Sequence, residues 1–220
     1  RKNTALGYSA LNATTTGTNN VAVGYFAGDS NTTGTASVFV GYQTGKNATT
    51  ASDTIAIGRD AIGSGILTGS YNIALGYRAV YKATTANSNV AIGYYAYGNG
   101  VTTGNYNVAV GDRALYNATS GYTNTAIGQS ALGNGVVTGG YNVGIGYRAL
   151  YDATTCGSSI AIGYQAGDSI TTASNCVVIG RRAAQGTTTN AGITAIGNDC
   201  FAERSAHTKS VGLGYQAGKW

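Results

Sequence analysis

The sequence predicts an all-β protein, a parallel β-roll or β-solenoid of about thirteen coils that each contain 17 or 18 residues. A glycine recurs at that spacing along the whole chain, an aliphatic residue precedes it in every copy, and Thr, Asn and Gly fill the intervals. A stack of like units forms one continuous body, so we expect a single repeat domain over residues 1–220, with atypical capping coils at about 1–8 and 198–220. The recurring glycines are Gly7, Gly24, Gly41, Gly58, Gly76, Gly93, Gly111, Gly128, Gly146, Gly163, Gly180, Gly197 and Gly214.

Each coil is expected to carry a short strand directly before its glycine. The residue before the glycine is Val, Ile or Leu, and the residue two places earlier is Val, Ile or Thr. These two positions share a face of a strand, and β-branched residues favour strands. The glycine suits the corner of the coil because it tolerates positive φ and close backbone contact. Parallel strands of successive coils lie about 4.8 Å apart, which gives a rod of roughly 58 Å.

The residue between the two aliphatic positions is small in nearly every copy, with Phe39 and Val178 as the large exceptions. We expect the bulky residues to fill the core of their own coil and the small residues to face a second chain at close range. This pattern predicts an oligomer. The candidate interface residues are Ala22, Ala56, Ala74, Ala91, Ala109, Ala126, Ala161 and Ala195.

After the corner, a second short strand or a turn is expected to lead to Thr-Thr-Gly or Ala-Thr-Thr, and Asn or Ser usually precedes the next strand. Asn side chains stacked in adjacent coils can form a hydrogen-bonded ladder. Tyr often follows the corner glycine, and three arginines stand 35 residues apart. The tyrosines either stack along the roll or form, with the arginines, a strip that binds glycan or a cell surface. The candidate surface residues are Tyr77, Arg78, Arg113, Tyr147 and Arg148.

Several functions are not indicated. Charged residues make up 10% of the chain, the net charge is +5, and the basic residues form no run, so no nucleic-acid partner is expected. No apolar run is long enough for membrane insertion. The single histidine, His207, and the lack of a C-x-x-C spacing argue against catalysis and zinc, and the G-x-G-x-x-A matches are repeat corners. We therefore expect no enzyme, no cofactor and no metal.

The three cysteines, Cys156, Cys176 and Cys200, occupy different positions in their coils. They are expected to be buried or free thiols, and a bridge between Cys156 and Cys176 in adjacent coils is the alternative.

The run Asn-Val-Ala-Ile-Gly-Tyr-Tyr-Ala at residues 89–96 resembles the head repeat of trimeric autotransporter adhesins. Residues 3–11 and 124–132, with the pattern Asn-Thr-Ala-x-Gly-x-Ser-Ala-Leu, resemble more closely the repeats of bacteriophage tail-fibre shafts. The resemblance covers the whole chain. It implies a homotrimer of parallel β-rolls whose small-residue faces meet at the threefold axis, used as a stiff spacer or adhesive surface outside the cell.

The leading hypothesis is therefore a structural or adhesive fibre segment, a trimeric phage tail-fibre shaft or head that holds or forms a receptor-binding surface. Its partners would be identical chains and a cell-surface glycan or receptor, and its location a virion tail fibre or a cell surface. A bacterial surface adhesin or extracellular filament subunit is the first alternative. An ice-binding solenoid is the second, although the threonines stand in adjacent pairs whose side chains diverge.

Overall fold

The computed structural model describes residues 2–189, 191–203 and 209–218. It confirms the predicted all-β solenoid, in which thirteen parallel three-residue strands form one sheet in chain order. The strands are β1 (Thr4–Leu6), β2 (Val21–Val23), β3 (Val38–Val40), β4 (Ile55–Ile57), β5 (Ile73–Leu75), β6 (Val90–Ile92), β7 (Val108–Val110), β8 (Thr125–Ile127), β9 (Val143–Ile145), β10 (Ile160–Ile162), β11 (Val177–Ile179), β12 (Thr194–Ile196) and β13 (Val211–Leu213). His207 and part of the expected terminal cap lie outside the described residues.

Every strand pairs with the next one in the same register, whether 17 or 18 residues separate them. Ala91 lies opposite Ala109, and Ala109 lies opposite Ala126. The corner glycine ends each strand from β1 to β12 at a point where the next coil leaves no room for a side chain. Gly111 has φ +135°, and a Cβ added there would lie 2.7 Å from the carbonyl oxygen of Gly128. No side chain fits at such a corner, which explains why the glycine recurs without exception.

The remainder of each coil consists of turns. Among the described residues, the one bridge outside the named strands joins Ala48 to Leu67. Backbone hydrogen bonds nevertheless continue from coil to coil on this side, as from the amide of Thr32 to the carbonyl of Thr49 at 2.8 Å. The second segment of the coil is thus a stack of turns, and the sheet occupies one side of the rod.

The strands face the opposite way from the expectation. From β2 onward the central alanines have no exposed surface, although only one chain is present, and the flanking aliphatic residues point outward, as in Ile57 (42% exposed) and Ile92 (37% exposed). The small residues therefore fill the interior of their own coil and do not form a subunit interface. This corrects the assignment of Ala22, Ala56, Ala74, Ala91, Ala109, Ala126, Ala161 and Ala195.

The physical reason for this orientation is the narrow interior of a short coil built mainly of turns. Where one inward position is large, its neighbours are small. Phe39 is fully buried between Gly28 and Gly45, and a Cβ on Gly28 would lie 2.7 Å from the Phe39 ring. In β9 the inward residue is the small Gly144, and the space that it leaves is filled by Leu132, whose Cδ1 would lie 2.8 Å from a Cβ added to Gly144. Interiors packed at this density cannot accept two Val or Ile side chains from every strand.

Candidate functional site

The outward positions of β1–β13 form a continuous apolar surface, which we term the aliphatic ribbon. It consists of the first and third residue of each strand, and all of these are Val, Ile or Leu except Thr4, Thr125 and Thr194. Its members are partly or largely exposed in the single chain, and the most exposed lie in the terminal strands, such as Leu6 at 67% and Val211 at 69%.

The aliphatic ribbon runs along the whole sheet, over roughly 58 Å at about 4.8 Å per strand. Soluble monomeric proteins rarely expose a contiguous apolar surface of this extent, and such a surface usually marks a site of association. Burial of this surface against a partner is favourable by roughly 25 cal/mol per Å² of apolar surface removed from water. A surface with so few polar groups can do this by packing against another apolar surface.

One flank of the ribbon carries the tyrosines that follow the corner glycines. Where they occupy adjacent coils, their rings stack in parallel: the centroids of Tyr25 and Tyr42 lie 5.3 Å apart, and those of Tyr147 and Tyr164 lie 5.1 Å apart. This arrangement confirms the stacking interpretation. Further stacked pairs are Tyr8 with Tyr25 and Tyr77 with Tyr94.

Arg78 is held within its own chain by aromatic rings. Its guanidinium carbon lies 4.3 Å from the centroid of the Tyr81 ring and 4.9 Å from that of Tyr77, and its Nε lies 3.5 Å from Asp60 Oδ2. It also donates a hydrogen bond to the hydroxyl of Tyr95, which raises the pKa of Arg78 above its usual value. These contacts give Arg78 a structural role, since its guanidinium is bonded to the Tyr95 hydroxyl and lies against the Tyr77 and Tyr81 rings.

Arg148 is likewise engaged within the chain. Its Nε and Nη2 donate to the two carboxylate oxygens of Asp168 at 3.0 and 3.2 Å, and its guanidinium carbon lies 4.0 Å from the centroid of the Tyr151 ring. Burial raises the pKa of Asp168, and Arg148 opposes that shift. A bidentate pair of this kind fixes both geometry and charge, so it joins one coil to the next.

Arg113 is the least engaged of the three arginines. Its side chain is 50% exposed, its Nε lies 3.9 Å from Asp112, and its guanidinium carbon lies 5.7 Å from the centroid of the Tyr94 ring. The structure thus places Tyr77 beside Arg78, and of the three predicted arginines Arg113 has the guanidinium most open to an external anion. Glycan binding by these five residues stays a prediction, and it depends mainly on Arg113.

The predicted asparagine ladder is confirmed on the buried side of the sheet. The side-chain oxygen of Asn89 accepts a hydrogen bond from the amide of Asn107 at 2.9 Å, and Asn107 accepts one from Asn124 at 3.0 Å. The side-chain nitrogen of Asn107 donates onward to the carbonyl of Gly121 at 2.8 Å. Each buried amide therefore satisfies groups of both neighbouring coils, which holds the coils in register.

The cysteines are free and buried. Burial, with a smaller effect of the nearby Cys176, raises the pKa of Cys156 to about 11. No three His, Cys, Asp or Glu side chains come together within the described part of the chain. The same part contains no helix of the length and apolarity that crossing a bilayer requires.

Sequence reasoning missed a second set of tyrosines, Tyr71, Tyr106 and Tyr141, which stand 35 residues apart and expose 58–65% of their surface. Their spacing equals that of the arginines, so the double repeat could have revealed them.

A scan against models of protein families finds no match to this chain, and a search of curated protein sequences finds none either.

Proposed function

We propose that this chain is a segment of a homotrimeric extracellular fibre, a shaft or head of the phage tail-fibre type, in which three parallel chains bury their aliphatic ribbons against one another. The observation that carries the proposal is the ribbon itself, an apolar surface along the entire sheet that a single chain leaves exposed. A partner with an identical ribbon supplies the matching apolar surface.

The regular register of the sheet favours identical partners. Because successive strands share one register, parallel copies related by an axis along the rod bring equivalent residues to the same height. The resemblance of the repeats to trimeric adhesin heads and tail-fibre shafts favours threefold symmetry. The chain would act as a stiff support, since hydrogen bonds join every coil to the next.

Such a fibre presents the same surface features repeatedly along the rod and around its axis, so weak contacts with a host surface would add up to firm attachment. A bacterial surface adhesin or an extracellular filament subunit would use the same architecture, and the proposal assigns no catalytic step to either.

The native mass in solution tests the proposal. Three chains of 22.2 kDa should give about 67 kDa by light scattering. We expect the double variant Ile92→Asn and Ile127→Asn to lower the mass to that of one chain, because it places amides in the middle of the ribbon. The matched control changes two outward residues of the turn side, Thr103→Asn and Ser120→Asn, and should keep the assembled mass. A monomeric wild-type chain would contradict the proposal.

Ice binding remains a second candidate because one threonine of each pair is exposed, as at Thr33, Thr50 and Thr85. The surface is interrupted, however, where 18-residue coils expose Ile66 and Val101 beside these threonines, at 62% and 60%. A recrystallisation assay decides the question, since an ice-binding surface inhibits crystal growth and a fibre shaft does not.

A further inference from the structure

Two residues before each strand, the backbone adopts the left-handed conformation in every described coil from the second strand onward. We term these positions the left-handed column. Most of its residues are small or polar: Asn19, Ala36, Asp53, Ser88, Thr123, Ser158, Asn175, Gly192 and Lys209. The exceptions are Tyr71, Tyr106 and Tyr141, with φ of 61°, 60° and 61°.

The three tyrosines differ from the bulky residues that adopt a positive φ elsewhere in this fold. Tyr95, for example, uses its ring for contacts within the chain. The fold itself does not require the ring. The amide of Tyr106 donates to the carbonyl of Asn87 at 3.1 Å, and the amides of Ser88 and Thr123 make the equivalent bond at 3.0 Å in neighbouring coils.

The rings of these tyrosines are largely exposed. Tyr71, Tyr106 and Tyr141 are 61%, 65% and 58% exposed. Tyr141 makes an edge contact with Tyr122 at 5.2 Å, whereas Tyr71 and Tyr106 make no ring contact with any described residue. Three exposed rings at the same position of alternate coils therefore point to a ligand outside the chain.

The spacing of the rings identifies the kind of ligand. They occupy every second coil, so they are about 9.6 Å apart along the rod, and the coils between carry Ser88 and Thr123. A second copy that packed along this column would favour apolar residues in every coil. A ligand that repeats itself after two units fits the alternation better, as does a linear polysaccharide in which successive sugars face opposite ways.

We propose that Tyr71, Tyr106 and Tyr141 form a binding strip for an extended, neutral, β-1,4-linked polysaccharide, with one ring against the apolar face of every second sugar. Aromatic rings supply large apolar contact, and the tyrosine hydroxyl adds a polar group for the sugar hydroxyls. This inference deepens the adhesive part of the proposed function and rests on it for its biological setting, but it does not depend on the number of chains.

Affinity electrophoresis in gels that contain hydroxyethyl cellulose, with dextran gels as the reference, tests the strip. We expect retardation of the wild-type protein by hydroxyethyl cellulose alone. In solution, cellohexaose should bind at least about tenfold more tightly than cellobiose, because only the longer chain reaches more than one ring. Absence of retardation, or equal affinity for the two oligosaccharides, would overturn the proposal.

The decisive variant changes all three tyrosines to Asn, a residue that the left-handed column already contains. Retardation and the preference for cellohexaose should be lost, while the melting temperature stays the same or rises, since Asn tolerates this backbone conformation. The matched control, Tyr25→Asn, Tyr42→Asn and Tyr164→Asn, removes equally aromatic residues from the corner positions and should keep the retardation.

Retained binding by the left-handed triple variant would overturn the proposal. A fall in its native mass would also do so, because the rings would then belong to a contact between copies. Failure of the fibre proposal is seen separately, in the native mass of the wild-type protein, and a wild-type monomer that is retarded by hydroxyethyl cellulose would leave the polysaccharide strip intact.

Discussion

The two sides of each strand differ in how their residues vary. On the inward side, a large residue at one position is matched by a small residue at the position that it contacts. Phe39 packs against Gly28 and Gly45, and Leu132 packs against Gly144. On the outward side, the aliphatic ribbon shows no such matching and is Val, Ile or Leu in nearly every strand. Such compensation between large and small side chains is expected in a closed, densely packed interior. Constant exposed apolar character is what the proposed trimer requires of its contact surface.

The first and largest test of this comparison is a charge on either side of one strand. Ala109 is fully buried, so Ala109→Glu should cost more than about 4 kcal/mol and abolish the β signature in circular dichroism, because the carboxylate is placed in the interior without a partner. The adjacent change Val110→Glu points outward and should keep the β signature while the native mass falls to that of one chain.

If the alanines instead faced a second chain and the bulky residues filled the core, the two outcomes would be exchanged: Ala109→Glu would keep the β signature and lose assembly, and Val110→Glu would unfold the chain. The assignment of Ala109 to a subunit interface, made from the sequence, predicts loss of assembly alone for Ala109→Glu. The structure replaces it with loss of folding, since the charge now lies within the coil.

The second test concerns the compensation around Phe39. Phe39→Ala should destabilise the protein by about 3–5 kcal/mol, because it leaves a cavity that the neighbouring glycines cannot fill. Gly45→Leu should also be destabilising by itself, because its Cβ would overlap the Phe39 ring.

Together the two changes should recover part of the loss, as measured by urea unfolding in a double-mutant cycle. Leu is sterically acceptable there without the ring, since Leu115 and Leu132 occupy the equivalent position of other coils with φ of 51° and 49°. Additive losses would show that the interior does not exchange volume in this way.

Most of the fold could be read from the sequence because its causes are local. The corner glycine, the β-branched residues before it and the buried Asn each identify one position of the coil, and Gly111, Val110 and Asn107 lie where the pattern places them. The sequence does not determine which face of a strand points inward, because the alternation of side chains defines two faces but does not distinguish the inner from the outer one. That choice depends on the interior volume of the closed coil, which becomes visible only once the turns are known.

The candidate site was harder to predict for a related reason. Arginines 35 residues apart indicate a shared surface, but whether a guanidinium is free depends on its neighbours in space. Arg148 is bound by Asp168, 20 residues away in sequence. The Nε of Arg113, by contrast, lies 3.9 Å from Oδ1 of the adjacent Asp112. The 35-residue spacing groups Tyr106 with Tyr71 and Tyr141, but the exposure of their rings is visible only in the structure.

The smallest expected effect concerns the buried asparagine ladder, which holds successive coils in register. Asn107→Ala removes the acceptor of the Asn124 amide and the donor to Gly121, so we expect a loss of about 2 kcal/mol in urea unfolding.

Asn107→Ser should cost less, about 1 kcal/mol, because a serine hydroxyl already accepts the equivalent bond elsewhere in the ladder, from Cys176 to Ser159 at 3.2 Å. Hydrogen exchange at the Asn124 amide separates the two variants, since the amide should be protected with Ser and exposed to exchange with Ala. Equal protection in both would mean that the backbone sheet alone fixes the register, and that the asparagines contribute only to the filling of the interior.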